Sequence, residues 1–347
     1  MRVAVTGGSG FLGSRFVELY KDTFSDMIIL NSKNAPLNNF DKLLDITSDI
    51  DILVHTAFDH SYKDNILGIK NILKVCEQNK IKKFIHISTI SVYNPNIKGT
   101  LNEESEYTAI NDPYSKEKKE IEKEIERYKN SSIKIIILQP TIIYGLGGNW
   151  TKYALHVCKS KSLSIPNDGK DICNAVYIDD VVNAIYQSCI SSVKYEKILI
   201  SSSENITWRK FYEKQCDILK DLKLPSVCNI IDNINKNEFH SKGIVNFIFL
   251  LWFKTPFGNI FNLALGILKK LRAKSYKNTS SKEKLKEFIK SNTGENVLTP
   301  LGITKKVHSC KFNVDISKAV ELLNYTPQVS FDDGLDKIKD NIKKALL

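Results

Sequence analysis

The chain begins Met1-Arg-Val-Ala-Val-Thr-Gly-Gly-Ser-Gly-Phe-Leu-Gly-Ser-Arg15, and the reading of this stretch decides the fold. Val3 to Val5 form a short apolar run that predicts a buried strand, and Leu12, Phe16, Leu19 and Tyr20 recur at the spacing of one helix face. Between them Gly7, Gly8 and Gly10 predict a tight turn from strand into helix. Such a turn aims the unpaired backbone N–H groups of a helix start at one point, which makes a site for a pyrophosphate. Gly7 permits the turn, Gly10 lets phosphates approach the main chain, and Gly13 lets the helix lie close on the strand. Placed between a strand and a helix, the glycines point to a dinucleotide rather than to an ordinary loop.

Working outward, a second strand, Met27 to Leu30, ends in Asn31-Ser32-Lys33-Asn34. An acidic residue here would bind the ribose hydroxyls of NAD. No carboxylate is present to repel a 2′-phosphate and Lys33 stands close by, so the chemistry tilts toward NADP; Asn31 remains able to hydrogen-bond a ribose. One helical turn at Asp41 to Leu44 precedes a third strand, Ile52 to His55, and the gap of about twenty residues leaves room for one short helix only. The third strand runs into Thr56, Ala57 and Phe58, which should lie along the cofactor because the carboxyl ends of strands face the ligand in a doubly wound sheet. His55 and His60 read as packed or solvated residues rather than bases. A helix from Asn65 to Gln78 carries Ile66, Ile69, Leu73 and Cys76 on one face, and the strand Phe84 to Ile87 then ends in Ser88-Thr89-Ile90-Ser91-Val92-Tyr93. A hydroxyl at a strand's carboxyl end is placed to meet a substrate oxygen.

Asp112-Pro113-Tyr114-Ser115-Lys116-Glu117-Lys118 opens a long amphipathic helix, with Pro113 at its start. Tyr114 and Lys118 are one turn apart, on the stripe that also carries Ile121 and Ile125. An ammonium on that inward stripe would lower the pKa of the neighbouring phenol, giving a tyrosine able to exchange a proton with an alcohol or ketone near neutral pH.

Composition bounds the class. At 347 residues, 42% hydrophobic and 26% charged, the chain suits a globular α/β protein with one large domain and a smaller one. Arg2 is followed by too few apolar residues for a signal peptide, and the seven scattered cysteines, without a CxxC pair, read as reduced, mostly buried thiols of a cytoplasmic protein with no metal site. The net charge of +11 owes much to residues 269–290, which hold nine Lys or Arg, yet no nucleic-acid motif accompanies them and a solvated basic face is expected. Two apolar runs, 243–253 and 260–268, fall short of a bilayer span and read as a buried helical hairpin; with the basic segment behind them, 243–274 would also suit peripheral contact with a membrane.

Taken together, these motifs resemble those of the extended short-chain dehydrogenase/reductases, the NAD(P)-dependent nucleotide-sugar epimerases, dehydratases and reductases. The resemblance rests on Thr6 to Gly13, His55-Thr-Ala57, Asn65-x-x-Gly68, Ser88 to Tyr93, Tyr114-x-x-x-Lys118, Gln139 to Gly145, Asn174 to Asp180 and Lys318 to Pro327. It implies a doubly wound parallel sheet of the Rossmann type over residues 1–203, with a substrate-domain insertion near 146–175, and a smaller, mostly helical substrate domain over 204–347 whose last segment packs back on the core. It further implies that Gly7, Gly10, Phe11, Leu12 and Gly13 hold the pyrophosphate, with Asn31, Ser32 and Lys33 at the adenosine ribose. Thr56, Ala57, Phe58, Asn65 and Pro140 would line the path to the nicotinamide. Tyr114 would be the acid/base, Lys118 would bind the nicotinamide ribose, Thr89 would hydrogen-bond the reacting oxygen and Asn174 would meet the distal part of the substrate. Asp179 and Asp180 read as supports of a helix start. By analogy a homodimer would form through the helices around 65–78 and 114–128.

The departures matter as well. Gln139 stands where many relatives have arginine, and Thr89 is followed by Ile90 and Ser91 rather than by the acidic pair that dehydratases use for elimination. Epimerisation of a nucleotide sugar or reduction of a 4-keto sugar, in the supply of surface-polysaccharide precursors, is therefore the leading expectation. A ketoreductase similar to the 3β-hydroxysteroid dehydrogenases, acting on a hydrophobic or lipid-linked substrate, is the alternative, and a non-catalytic NADP-binding regulator is disfavoured by the intact Thr89, Tyr114 and Lys118.

Overall fold

The apolar strand that opens the sequence lies at the centre of the molecule's parallel sheet. In the computed structural model, which describes residues 1–59, 61–108, 112–158, 162–224, 226, 230–231, 297–298 and 307–346, Val3, Ala4 and Val5 of β1 (Arg2–Thr6) are fully buried. From edge to edge the sheet runs β2 (Asp26–Leu30), β1, β3 (Ile52–His55), β4 (Lys83–Ile87), β6 (Lys134–Pro140) and β11 (Tyr195–Ile200), every pair parallel. The chain leaves β1 for the edge strand β2, then crosses to β3 on the other side of β1. That reversal opens a crevice at the carboxyl ends of β1 and β3, the usual place for a ligand in such sheets. The link from β2 to β3 holds one short helix, α2 (Phe40–Ile46), as its length predicts.

Both faces of the sheet are covered, which is why its strands are apolar on both sides. On one face α1 (Phe11–Tyr20) and a later helix, α6 (Ile178–Ile190), pack Phe16, Val181 and Ile185 with Val3, Val5, Val54 and Ile136. On the other, α3 (Tyr62–Gln78) and α4 (Pro113–Glu126) pack Ile69, Leu73, Ile121 and Ile125 with Ala4, Leu53, Phe84 and Ile135. α3 starts earlier than its apolar spacing suggests because Ser61 caps it, accepting from the Asp64 N–H at 3.3 Å. α4 starts where Pro113 predicts, capped by Asp112, which accepts from the Ser115 N–H at 2.9 Å.

Short strands knit the remaining segments together. β5 (Gly99–Leu101) pairs with β15 (Phe312–Val314), β7 (Ile142–Tyr144) with β10 (Ala175–Tyr177), and β9 (Ile172–Cys173) with β12 (Ile206–Thr207). β8 (Ser162–Ser164) lies between β13 (Ile230–Ile231) and β14 (Val297–Leu298). One expectation is corrected here. Cys158, on α5 (Asn149–Cys158), and Cys216, on α7 (Trp208–Asp221), form a disulfide with Cα atoms 5.0 Å apart, because those two helices pack against each other. Cys76, Cys173 and Cys189 are buried free thiols, as read, Cys310 is buried, and Cys228 lies outside the described residues.

Among the described residues no group of His, Cys, Asp or Glu could hold a metal, and no helix is long and apolar enough to cross a membrane. The apolar runs 243–253 and 260–268 and the basic segment 269–290, on which the membrane-contact expectation rests, lie outside the described residues.

The last helices, α8 (Ser317–Leu323) and α9 (Phe331–Leu346), return to the first half of the chain. Asp180, buried in the first turn of α6, accepts from the backbone N–H groups of Gln328 at 2.8 Å and Val329 at 3.3 Å. Asp179 beside it accepts from Arg15 Nε at 2.7 Å and from Lys337 Nζ at 3.3 Å. Both aspartates lie in the first turn of α6, as read, but neither caps it, and their bonds go instead to Arg15 and the tail. Asp180→Ala should lower stability by about 2 kcal/mol in urea unfolding, because two backbone donors lose their acceptor. A loss under about 0.5 kcal/mol, the range of ordinary surface substitutions, would show the anchor to be dispensable.

Candidate active site

The glycine turn is held from two sides. Gly7 adopts φ +69°, donates its N–H to Leu30 O at 3.0 Å, and sits where a Cβ would come within 2.7 Å of the Ala57 backbone. A Cβ on Gly13 would meet the carbonyl oxygen of Gly7 and lie 2.6 Å from Thr56 Oγ1. Thr56 in turn donates to Thr6 O at 2.8 Å, binding the end of β3 to the end of β1. Gly10 is the N-cap of α1 and provides no side-chain cap, so the N–H groups of Phe11, Leu12 and Gly13 have no side-chain acceptor at the helix start. This bare, close-packed cradle fits a dinucleotide pyrophosphate.

At the end of β2, Asn31 Oδ1 accepts from the Lys33 N–H at 2.9 Å and the Asn34 N–H at 3.2 Å, so this oxygen closes its own turn. Ser32 and Lys33 are exposed, and Lys33 has no ion-pair partner among the described residues.

At the ends of β3 and β4 the structure gathers Phe58, Thr89, Tyr114 and Lys118. Thr89 faces the Tyr114 phenol and favours its ionised form. The Phe58 ring meets the Tyr114 ring edge-on at 5.4 Å, and Lys118 Nζ lies 4.4 Å from the Phe58 ring centre. Lys118 is 5% exposed, as its inward stripe predicts, and donates to Ile87 O at 2.9 Å. The expected lowering of the phenol pKa is not found. Burial pushes Tyr114 up to about 12, and Thr89 opposes that rise; the ring itself is 38% exposed, so solvent reaches part of it. Lys118 is engaged with Ile87 and Phe58, and burial brings its own pKa down to about 8 against the opposing pull of Glu117 and Glu122.

Other residues expected at the site have structural partners. Asn65 accepts from the Asp59 N–H and donates to Asp59 O, both at 2.8 Å, and donates to Glu117 Oε1 at 2.7 Å, so it braces the loop after β3 against α4. Pro140 is buried at the end of β6, opposite Ile200. Asn174 is 8% exposed and donates to Phe312 O at 3.1 Å, tying it to β15. His55 is a packed residue, as read: its Nδ1 is 2.6 Å from Thr6 Oγ1 and burial lowers its pKa to about 3. His60 lies outside the described residues. Sequence reasoning passed over Glu122, which is fully buried one turn beyond Lys118. The i, i+4 spacing from Lys118 was the available signal.

A parallel sheet with a bare glycine turn at its strand-order reversal, facing a Thr–Tyr–Lys group, defines the nucleotide-binding α/β proteins of the short-chain dehydrogenase type. Residues 3–199 match the model of the NAD dependent epimerase/dehydratase family, and the chain belongs to that family. It is 28% identical over 235 residues to a dTDP-D-glucose 4,6-dehydratase of Dictyostelium discoideum, covering 53% of this chain and 54% of that protein. It is 27% identical over 194 residues to a 3 beta-hydroxysteroid dehydrogenase/Delta 5-->4-isomerase of Monkeypox virus, covering 45% of this chain and 56% of that one. The chain thus spans about half the length of the curated relatives it matches. A UDP-glucose 4-epimerase of Thermotoga maritima, solved with UDP-glucose, shares the fold over 100% of both chains at a TM-score of 0.68 and 19% identity.

The buried lysine has a measurable signature. In the unfolded chain Lys118 holds its proton up to about its model value of 10.5, whereas in the fold it gives it up near 8. The folded state therefore carries a penalty below about pH 8 that fades as pH rises toward 10.5. Lys118→Met should be the more stable protein at neutral pH, with its advantage shrinking across that window in urea titrations. Contributions from buried tyrosines and thiols cancel in the comparison, and a pH-independent gap would refute the shift.

Proposed function

We propose that this chain is an NAD(P)-dependent nucleotide-sugar enzyme that epimerises a sugar carbinol or reduces a 4-keto sugar, in the supply of surface-polysaccharide precursors. The observation that carries this reading is the gathering of Thr89, Tyr114 and Phe58 with the buried Lys118 one turn further on, at the strand ends beside the glycine turn. The cofactor, when bound, supplies the hydride acceptor or donor. The chain's own residues do the rest. Phe11, Leu12 and Gly13 present backbone donors to the pyrophosphate, and Lys118 holds the nicotinamide ribose. Thr89 holds the sugar oxygen, and Tyr114 takes the proton from that oxygen or returns it. Burial raises the phenol, and Thr89 opposes that rise. Asn174 would meet the distal part of the substrate only by exchanging its bond to Phe312 O.

Elimination ranks below these reactions because Ile90 and Ser91 offer no acidic pair beside Thr89. The steroid-dehydrogenase-like alternative drew on an apolar stretch that lies outside the described residues, so the nucleotide-sugar reading leads. The same reading joins two copies through α3 and α4.

Tyr114→Phe should lower turnover of the sugar substrate by a factor of at least about 100 while leaving NADH affinity unchanged; retained turnover would remove Tyr114 from the acid/base role. Mass spectrometry of nucleotide released on denaturing the fresh protein separates the two reactions. Near-stoichiometric NAD favours an epimerase that keeps its cofactor, and an empty site favours a reductase that exchanges it. In the second case exposed Lys33 reads a 2′-phosphate, and Lys33→Ala should weaken NADPH binding about tenfold with NADH binding unaffected. Equal effects on both cofactors would exclude that role.

A further inference from the structure

Beneath the Thr89–Tyr114–Lys118 group lies a charged residue that the reaction just described does not use. Glu122 is 0% exposed. Its Oε1 accepts from the Ser88 hydroxyl and from Gln139 Nε2 at 3.0 Å. Its Oε2 accepts from the Tyr107 hydroxyl, from Gln139 Nε2 at 3.2 Å and from Lys197 Nζ at 3.3 Å. Gln139 is oriented by Tyr93, whose hydroxyl donates to Gln139 Oε1 at 2.7 Å. The groups around the carboxyl are two hydroxyls, one carboxamide and one ammonium, and all of them can donate to it. Burying a charge carries a penalty that an apolar side chain filling the same space would avoid.

Two links lead from this carboxylate to the reacting group. Ser88 adjoins Thr89, so the bond to Ser88 fixes the strand end that presents the Thr89 hydroxyl. Lys118 is one turn back along α4 and feels the Glu122 charge. The other groups facing Lys118 are Glu117 and Tyr114 of α4, His55 of β3, His86 and the Ile87 carbonyl of β4, and the Phe58 ring. The two histidines are neutral because burial holds them far below their usual value, and Glu117 is bonded to Asn65. Among the described residues Lys197, 22% exposed, is the cation that pairs with Glu122, and Gln139 is neutral; Tyr93, Tyr107 and Tyr195 are phenols.

We propose that Glu122 is a positioning residue, a buried carboxylate that keeps Lys118 charged and steadies Thr89, with Lys197 setting how much of its field Lys118 feels. This rests on the reading of Lys118 as a cofactor-binding residue. A neutral carboxamide at 139 bonds the carboxyl without adding a charge, and the partly exposed Lys197 adds one.

NADH fluorescence titrations of the full chain across neutral and alkaline pH test this in four proteins. Wild type should lose affinity with a midpoint set by Lys118, and Lys118→Met should lack that limb. Glu122→Gln should move the midpoint toward acid by about one pH unit, and Lys197→Gln should move it toward alkali. A role in packing alone would weaken binding by one factor at every pH, in the same direction for both variants. If wild type binds neither NADH nor NADPH, the cofactor reading falls and the inference with it; if it binds NADPH alone, the same titrations are read with NADPH. If wild type shows the Lys118 limb and neither Glu122→Gln nor Lys197→Gln moves it, the inference falls and the cofactor reading stands. Should Glu122→Gln fail to fold, judged by circular dichroism, Lys197→Gln decides: an alkaline shift supports the inference and an unmoved midpoint overturns it.

Discussion

The close approach of two backbones governs this structure. Gly7 and Gly13 exist as glycines because the end of β3 lies against the turn after β1, with Ala57 and Thr56 where side chains would otherwise be. A methyl group at either position would push the two strand ends apart. They carry the glycine cradle on one side and the Thr56–Phe58 segment on the other, so the distance between phosphate site and reacting group is set there. The right-handed return of the chain through α1 and α3 to opposite faces of the sheet then follows from the same strand order.

Around this frame the molecule buries charge in a pattern. α4 is covered with Lys and Glu, yet only some of them turn inward: Lys118 lies at 5% exposure, Glu122 at 0%, Glu117 at 8% and Glu124 at 7%. Each inward charge has named partners, and those partners belong to the strand ends, the loop after β3 and α3. The helix thus joins electrostatically what its isoleucines join by packing. Phe58 completes the arrangement, because its face lies toward the Lys118 ammonium and its edge contact orients Tyr114.

Much of this could be read in the sequence, and the reason is locality. The strands announced themselves as apolar runs, the glycine turn by its position between strand and helix, and α4 by Pro113 and its inward stripe. The inward lysine was legible because helical spacing alone places it. What stayed hidden depends on contacts between distant segments. Nothing in the spacing of Cys158 and Cys216, 58 residues apart, pairs them before α5 and α7 pack. Asn31 was read for a ribose while its oxygen also closes its own turn, and the shift of the Tyr114 phenol follows from burial, which composition does not reveal. Glu122 was passed over because a glutamate on a helix rich in Lys and Glu reads as solvated, although its i, i+4 spacing from Lys118 marks the same stripe.

Arg15 in α1, Asp179 in α6 and Lys337 in α9 meet in one ion-pair chain across sequence separations of 164 and 158 residues. The glycine turn is made by residues close together in sequence, but the helix that follows acquires its full set of neighbours only when segments far along the chain have packed against it. The turn is thus local in its making and distant in its support, and it is locked only when the tail has docked.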